Sequence, residues 1–203
     1  MLIFLEQRLI IYAVPKTGST ALQAALAGQA DIVFRTSFKH IPVRRTQQHV
    51  GPMLKGLKCQ MPEGFAVIRE PIDWLHSWYR YRQRETSEPS KGTAGMSFDQ
   101  YVEDYLSGER QEHVNIGRQA RFLHGDGDLS VSHLFAYEHL DRGHGFLFER
   151  LGFSFATRWM NESPEISMEL SPENKSRLEA AFAEDYALYE RAVTYSLGFE
   201  PPQ

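Results

Sequence analysis

Twice in this chain a short apolar run breaks off at a turn and passes directly into a helical pattern. Residues 9–14 are followed by Pro15-Lys16-Thr17-Gly18-Ser19-Thr20, after which Leu22, Ala25 and Leu26 recur at helical spacing before Gly28. Residues 64–68 are followed by Arg69-Glu70-Pro71, after which Ile72, Leu75 and Tyr79 fall along one helix face. Short, β-rich runs without polar alternation describe strands covered on both faces. Residues 133–137 supply a third such run. Strands that alternate with helices predict crossover units and hence a parallel sheet. The expected class is α/β, three layers with a central parallel sheet flanked by helices, in a single domain over residues 1–203.

Local signals refine this outline. Ser97 and Gln100 have capping-box spacing and open a helix over 97–106. Ser171-Pro172 opens what reads as the longest helix, running to about Ser196 with Leu178, Phe182, Tyr186, Tyr189 and Val193 along one side. The helix after the third strand is expected to be interrupted at Gly143 and Gly145. Residues 84–96 show no periodicity and are crowded with Gly, Pro and Ser. A loop of that length predicts either a lid over a site or a surface insertion.

Composition bounds the function. The net charge of -4 argues against a general nucleic-acid binder but leaves room for a local cationic anion site. Cys59 is the one cysteine, so no intramolecular disulfide forms, which fits a reducing compartment. No apolar run approaches the roughly 20 residues of a membrane span. The opening residues are interrupted by Glu6, Gln7 and Arg8 and lack a small-residue cleavage site, so a cytoplasmic location is expected. Eight histidines occur without HExxH, Cys/His-pair or EF-hand spacing, so no metal is expected. His124-Gly125-Asp126-Gly127-Asp128 reads as a turn.

Both strand-to-helix turns have the chemistry of a phosphate site. In the first, free N–H groups at a helix N-terminus are joined by Lys16 and the hydroxyls of Thr17, Ser19 and Thr20, while Gly18 permits close backbone approach. The order differs from a Walker A loop, because Lys16 precedes Gly18 and no earlier glycine is present. A P-loop kinase is thereby disfavoured. In the second, Arg69 sits at the strand's carboxyl end and Ser77 two helical turns on, so a guanidinium and a hydroxyl are offered to one phosphate.

Taken together, Pro15-Lys16-Thr17-Gly18-Ser19-Thr20 and the Arg69/Pro71/Ser77 spacing resemble the motifs of sulfotransferases that use 3′-phosphoadenylyl sulfate (PAPS). The stretch Leu134-Phe135-Ala136-Tyr137-Glu138-His139-Leu140 is similar to a third element of that family, with His139 in place of Asp. The resemblance implies a P-loop-like fold, PAPS as co-substrate, adenosine 3′,5′-bisphosphate as product, and no metal. It also implies that residues 16–20 hold the 5′-phosphosulfate, that Arg69 and Ser77 hold the 3′-phosphate, and that Tyr137 lies against the adenine. The Arg-Lys-Gly element of the family's small-phenol branch is absent, with Arg158, Asn161 and Ser163 as candidate replacements. The acceptor is expected to be a hydroxyl, on a carbohydrate by family likeness.

On the acceptor side, Lys16 is expected to stabilise the leaving group. His40 follows the strand-like residues 32–34 and is the expected base, since its ordinary titration range suits proton abstraction near neutrality. Glu70 and His76 are alternatives. Lys39, Arg44 and Arg45 either bind an anionic acceptor or are simply solvated. Asn115 and Gln119, four apart, are expected to share one helix face toward acceptor hydroxyls. The competing reading is an inactive PAPS-binding protein of the same fold.

Overall fold

In the computed structural model, which describes residues 1–83, 89–109, 111–126, 131–157 and 166–199, side-chain alternation along the strands sets how the sheet is covered. The strands β1 (Leu2–Phe4), β2 (Leu9–Ile11), β3 (Ile32–Val33), β4 (Glu63–Ile68) and β5 (His133–Ala136) form one sheet in the order β3-β1-β2-β4-β5. Ile3, Ile10, Ala66, Ile68 and Leu134 serve one core, while Leu2, Phe4, Leu9, Phe65 and Phe135 serve another. All are buried, so the period of two persists although both faces are apolar.

Helices cover both faces. α1 (Ser19–Leu26) packs on the second core through Leu22 and Leu26, and α7 (Leu140–Leu151) through Phe146, Leu147 and Leu151. The first core is closed by α2 (Val43–Arg45), the π-helical turn Thr46–Val50, α3 (Gly51–Gly56), α6 (Gln119–Leu123) and α9 (Ala183–Gly198). A third core joins α4 (Pro71–Arg82), α5 (Phe98–Leu106) and α8 (Pro172–Ala181) through Trp74, Tyr79, Phe98, Tyr101 and Leu178. No described helix is long and apolar enough to cross a membrane.

Three sequence expectations change. The sheet is mixed: β2, β4 and β5 are parallel, but β1 runs antiparallel to both β2 and β3. The polar interruption Glu6-Gln7-Arg8 is a tight turn, in which the Arg8 N–H donates to the Leu5 carbonyl at 3.2 Å and Arg8 adopts φ 51°. So short a connection can only join antiparallel strands.

Helix α7 runs unbroken through Gly143 and Gly145. A Cβ at Gly143 would lie 3.4 Å from Phe135 and 3.5 Å from Phe65, so this buried position faces the sheet inside the helix and is not a break. The long C-terminal helix is instead two. Phe182, at φ -96° and ψ 16°, separates α8 from α9 and is itself buried against Trp74 and Tyr105. This break lets α8 pack on α5 while α9 packs on β5.

Of the loop 84–96, residues 84–88 lie outside the described residues, and the rest is tied to α4. Buried Thr93 donates its hydroxyl to the Tyr79 carbonyl at 3.1 Å, and the Tyr79 hydroxyl donates to the Met96 carbonyl at 2.7 Å. The capping box at Ser97 and Gln100 forms as expected.

Candidate active site

The three parallel strands deliver their carboxyl ends side by side, which brings the turns after β2, β4 and β5 together. After β2 the chain stays paired as far as Tyr12, whose N–H donates to the Phe65 carbonyl at 2.9 Å, and then enters the turn before α1. Lys16 and Gly18 both take left-handed backbone angles there, φ 66° and 73°. For lysine this is an uncommon conformation that the surrounding structure must hold. The buried Thr17 hydroxyl donates to the Val14 carbonyl at 2.9 Å and closes the turn from within. Ser19 opens α1, half-buried, and Thr20 is exposed at the same helix end.

Helix α4 is the element that couples this turn to the second motif. Glu70 caps it by accepting the Asp73 N–H at 2.6 Å, and Pro71 occupies its first turn. Trp74, Trp78 and Tyr81, spaced four and three apart, face the first turn. The Trp74 indole donates to the Pro15 carbonyl at 3.0 Å. The Lys16 ammonium lies 4.1 Å from the Tyr81 ring centre and 5.5 Å from that of Trp78, within cation–π range. Asp73 and Ser77 occupy the neighbouring face, one turn apart. Ser77 is buried, and Asp73 accepts the Arg69 Nε–H in a short ion pair.

Arg69 is held on three sides. Its guanidinium lies 4.5 Å over the Tyr137 ring, and Tyr137 in turn sits 3.6 Å from where a Gly18 Cβ would be. The Tyr137 ring therefore lies beside both Gly18 and Arg69, and one face of that ring is occupied by Arg69. The Arg69 backbone is gripped by Gln119. That side-chain oxygen accepts the Arg69 N–H at 3.0 Å, and its amide donates to the Arg69 carbonyl at 2.8 Å. Gln119 is fully buried and acts as a one-residue continuation of the sheet.

This overturns the shared-helix expectation for Asn115 and Gln119, since Asn115 follows the 3-10 turn Glu112–Val114 and α6 starts only at Gln119. Behind α6, the buried Asp185 carboxylate accepts two bonds from Arg118, at 2.6 and 2.9 Å, and the Ala120 N–H at 3.0 Å.

His40 reaches the same edge. Its Nδ1 contacts the Ala13 carbonyl at 2.6 Å, which requires the proton on Nδ1 and leaves Nε2 as a lone-pair acceptor. The neighbouring Lys39 donates to the Thr20 hydroxyl at 2.6 Å, stitching this segment to the start of α1. Although part of the His40 ring is exposed, crowding around it desolvates the imidazole. That desolvation, with Lys39 nearby, holds its pKa below the ordinary histidine value against the opposing pull of the Ala13 bond.

The alternative bases are differently engaged. Both Glu70 oxygens are occupied, one by the Asp73 N–H and one by the Tyr186 hydroxyl at 2.7 Å. His76 is buried between Tyr79 and Phe98, and its Nε2 has no partner among the described residues.

Arg158, Asn161 and Ser163 lie outside the described residues, as do Gly127 and Asp128. Asp126 is engaged by Arg44 at 3.2 Å. No cluster of metal-ligating side chains occurs among the described residues. The roles of Asp73, Trp78 and Tyr81 were missed in the sequence, although their helical spacing from Arg69 and from one another signalled them. For Gln119 no sequence signal pointed to a backbone clamp. Compared with known protein families, curated proteins and solved structures, the chain matches none.

Proposed function

We propose that this chain is a sulfotransferase moving a sulfuryl group from PAPS to an acceptor hydroxyl. The reading rests on one observation: two turns of different chemistry, one carrying Lys16 and one Arg69, and the Tyr137 ring meet at the carboxyl ends of β2, β4 and β5. Ligands of open α/β sheets bind at such edges, and here the parallel centre is read as the nucleotide-binding half of a P-loop-like fold. The turn at residues 16–20 receives the 5′-phosphosulfate on backbone N–H groups, with the Lys16 ammonium and the Ser19 and Thr20 hydroxyls around it. Thr17 contributes through its backbone, because its hydroxyl closes the turn. Arg69 and Ser77 receive the 3′-phosphate, the guanidinium already oriented by Asp73 and Tyr137.

In the transfer, the acceptor oxygen bonds to sulfur as the bond from sulfur to the 5′-phosphate oxygen breaks. The acceptor proton passes to His40 Nε2, and adenosine 3′,5′-bisphosphate leaves with the electron pair. Negative charge grows on the bridging oxygen, where Lys16 stabilises it. No step calls for a metal, since the leaving group is a phosphate anion.

Lys16→Ala is expected to lower kcat about 10²–10³-fold, the usual effect of removing a donor to a developing anion. Steady-state turnover of labelled PAPS is the readout. Full activity in this variant would remove the leaving-group role from Lys16.

A further inference from the structure

One stretch of the chain has a charge balance unlike the rest. Residues 32–62 hold six of the 22 Lys and Arg residues and none of the 26 Asp and Glu, so an acidic protein carries one wholly cationic segment. Arg35, Arg44, Arg45, Lys55 and Lys58 are exposed, and Lys39 is half-buried. Of these six, only Arg44 forms an ion pair among the described residues, with Asp126. The acidic groups that flank the segment are otherwise engaged: Asp31 accepts the Leu5 N–H, and Glu63 is held by Arg150 and His133. Excess like charge repels itself and adds nothing to folding, but it draws anions to the segment that carries it.

The segment is fastened to the proposed reaction centre. His40 lies within it, bonded to Ala13, and Lys39 is bonded to Thr20 at the edge of the 16–20 turn. Arg44 and Arg45 follow His40 by four and five residues. Phe38, 65% exposed, stands beside Lys39 and offers a flat apolar face of the kind on which sugar rings stack. An anion drawn to Lys39 is thereby brought next to His40.

We infer that the acceptor is an anionic polysaccharide, a chain of sugars bearing carboxylates, whose charges lie along Arg45 and Lys58 while one hydroxyl reaches His40. This rests on the sulfotransferase reading for the role of His40, but the binding surface is testable without turnover.

The intact protein is titrated separately with polygalacturonate, with neutral dextran, with single-stranded oligonucleotide, with anionic phospholipid vesicles and with adenosine 3′,5′-bisphosphate. The expected result is binding of polygalacturonate that weakens as salt is raised, with dextran, oligonucleotide and vesicles all weaker. Arg45→Gln and Lys58→Gln are expected to weaken polygalacturonate roughly two- to fivefold per charge removed, with bisphosphate affinity unchanged. Polygalacturonate binding that ignores both substitutions, or tighter binding of oligonucleotide or vesicles, would overturn the inference. Loss of bisphosphate binding with polygalacturonate binding intact would instead sink the donor assignment and leave the anion-binding face standing.

Discussion

Replacing His40 with alanine is expected to lower turnover about 10²–10⁴-fold, the range for loss of a positioned general base, while leaving adenosine bisphosphate affinity intact. The tautomer makes the case. With the Nδ1 proton committed to the Ala13 carbonyl, Nε2 is the nitrogen free to take a proton. Desolvation first, and Lys39 second, push the imidazole below its ordinary value. A base must be neutral to act, so a lowered pKa extends the active form toward acid. The acid limb of the kcat/KM profile should therefore fall below pH 6.5, with a plateau through neutrality. His40→Ala should abolish that limb together with the rate. If the limb survives in the variant at an unchanged position, the proton goes to another group.

Removing the Asp185 carboxylate should destabilise the fold strongly. Its oxygens accept three bonds, two from Arg118 and one from the Ala120 N–H, and the residue is 1% exposed. Breaking a buried ion pair from one side costs about 3–5 kcal/mol because the other charge is left unpaired. The Arg118 side chain is 33% exposed, so water relieves part of that cost, and about 3 kcal/mol is expected for Asp185→Ala. That is a large share of the roughly 5–15 kcal/mol available to a domain. Urea denaturation at pH 7 measures it. Because Asp185 seats the first turn of α6, and with it Gln119 on the Arg69 backbone, bisphosphate affinity should fall as well. A loss under about 1 kcal/mol, or unchanged affinity, would mean that α6 is held by its packing alone.

How legible these arrangements were in the sequence depends on whether a feature is local. Residues 9–14 and 64–68 announced buried strands because nothing polar alternates in them, and Ser97/Gln100 announced a helix start because capping acts within four residues. Pro15 to Thr20, Arg69 and Tyr137 each ended a strand-like run, so their meeting at one edge followed from the parallel centre of the sheet. What was hidden is non-local or disguised. The β1 hairpin looked like an interrupted apolar run, since its turn uses Glu6-Gln7-Arg8 instead of Gly or Asn. Gly143 and Gly145 looked like helix breakers, whereas Gly143 packs toward the rings of Phe65 and Phe135 inside an unbroken helix. The break at Phe182 keeps the apolar spacing on both sides, so periodicity alone joined α8 to α9. Gln119 carries no signal at all, because a side chain that pairs with another residue's backbone leaves no pattern in either segment.

The donor site is tested most directly by isothermal titration of the protein with adenosine 3′,5′-bisphosphate and with adenosine 5′-phosphate. A charge-assisted phosphate contact contributes about 1.5–3 kcal/mol, so the bisphosphate should bind roughly ten- to a hundredfold tighter, and Arg69→Ala should remove most of the difference, leaving the share that Ser77 supplies and sparing the monophosphate. Equal affinity for the two nucleotides, or an Arg69→Ala protein that distinguishes them as well as the unaltered protein does, would contradict the assignment of the 3′-phosphate to Arg69 and the function built on it.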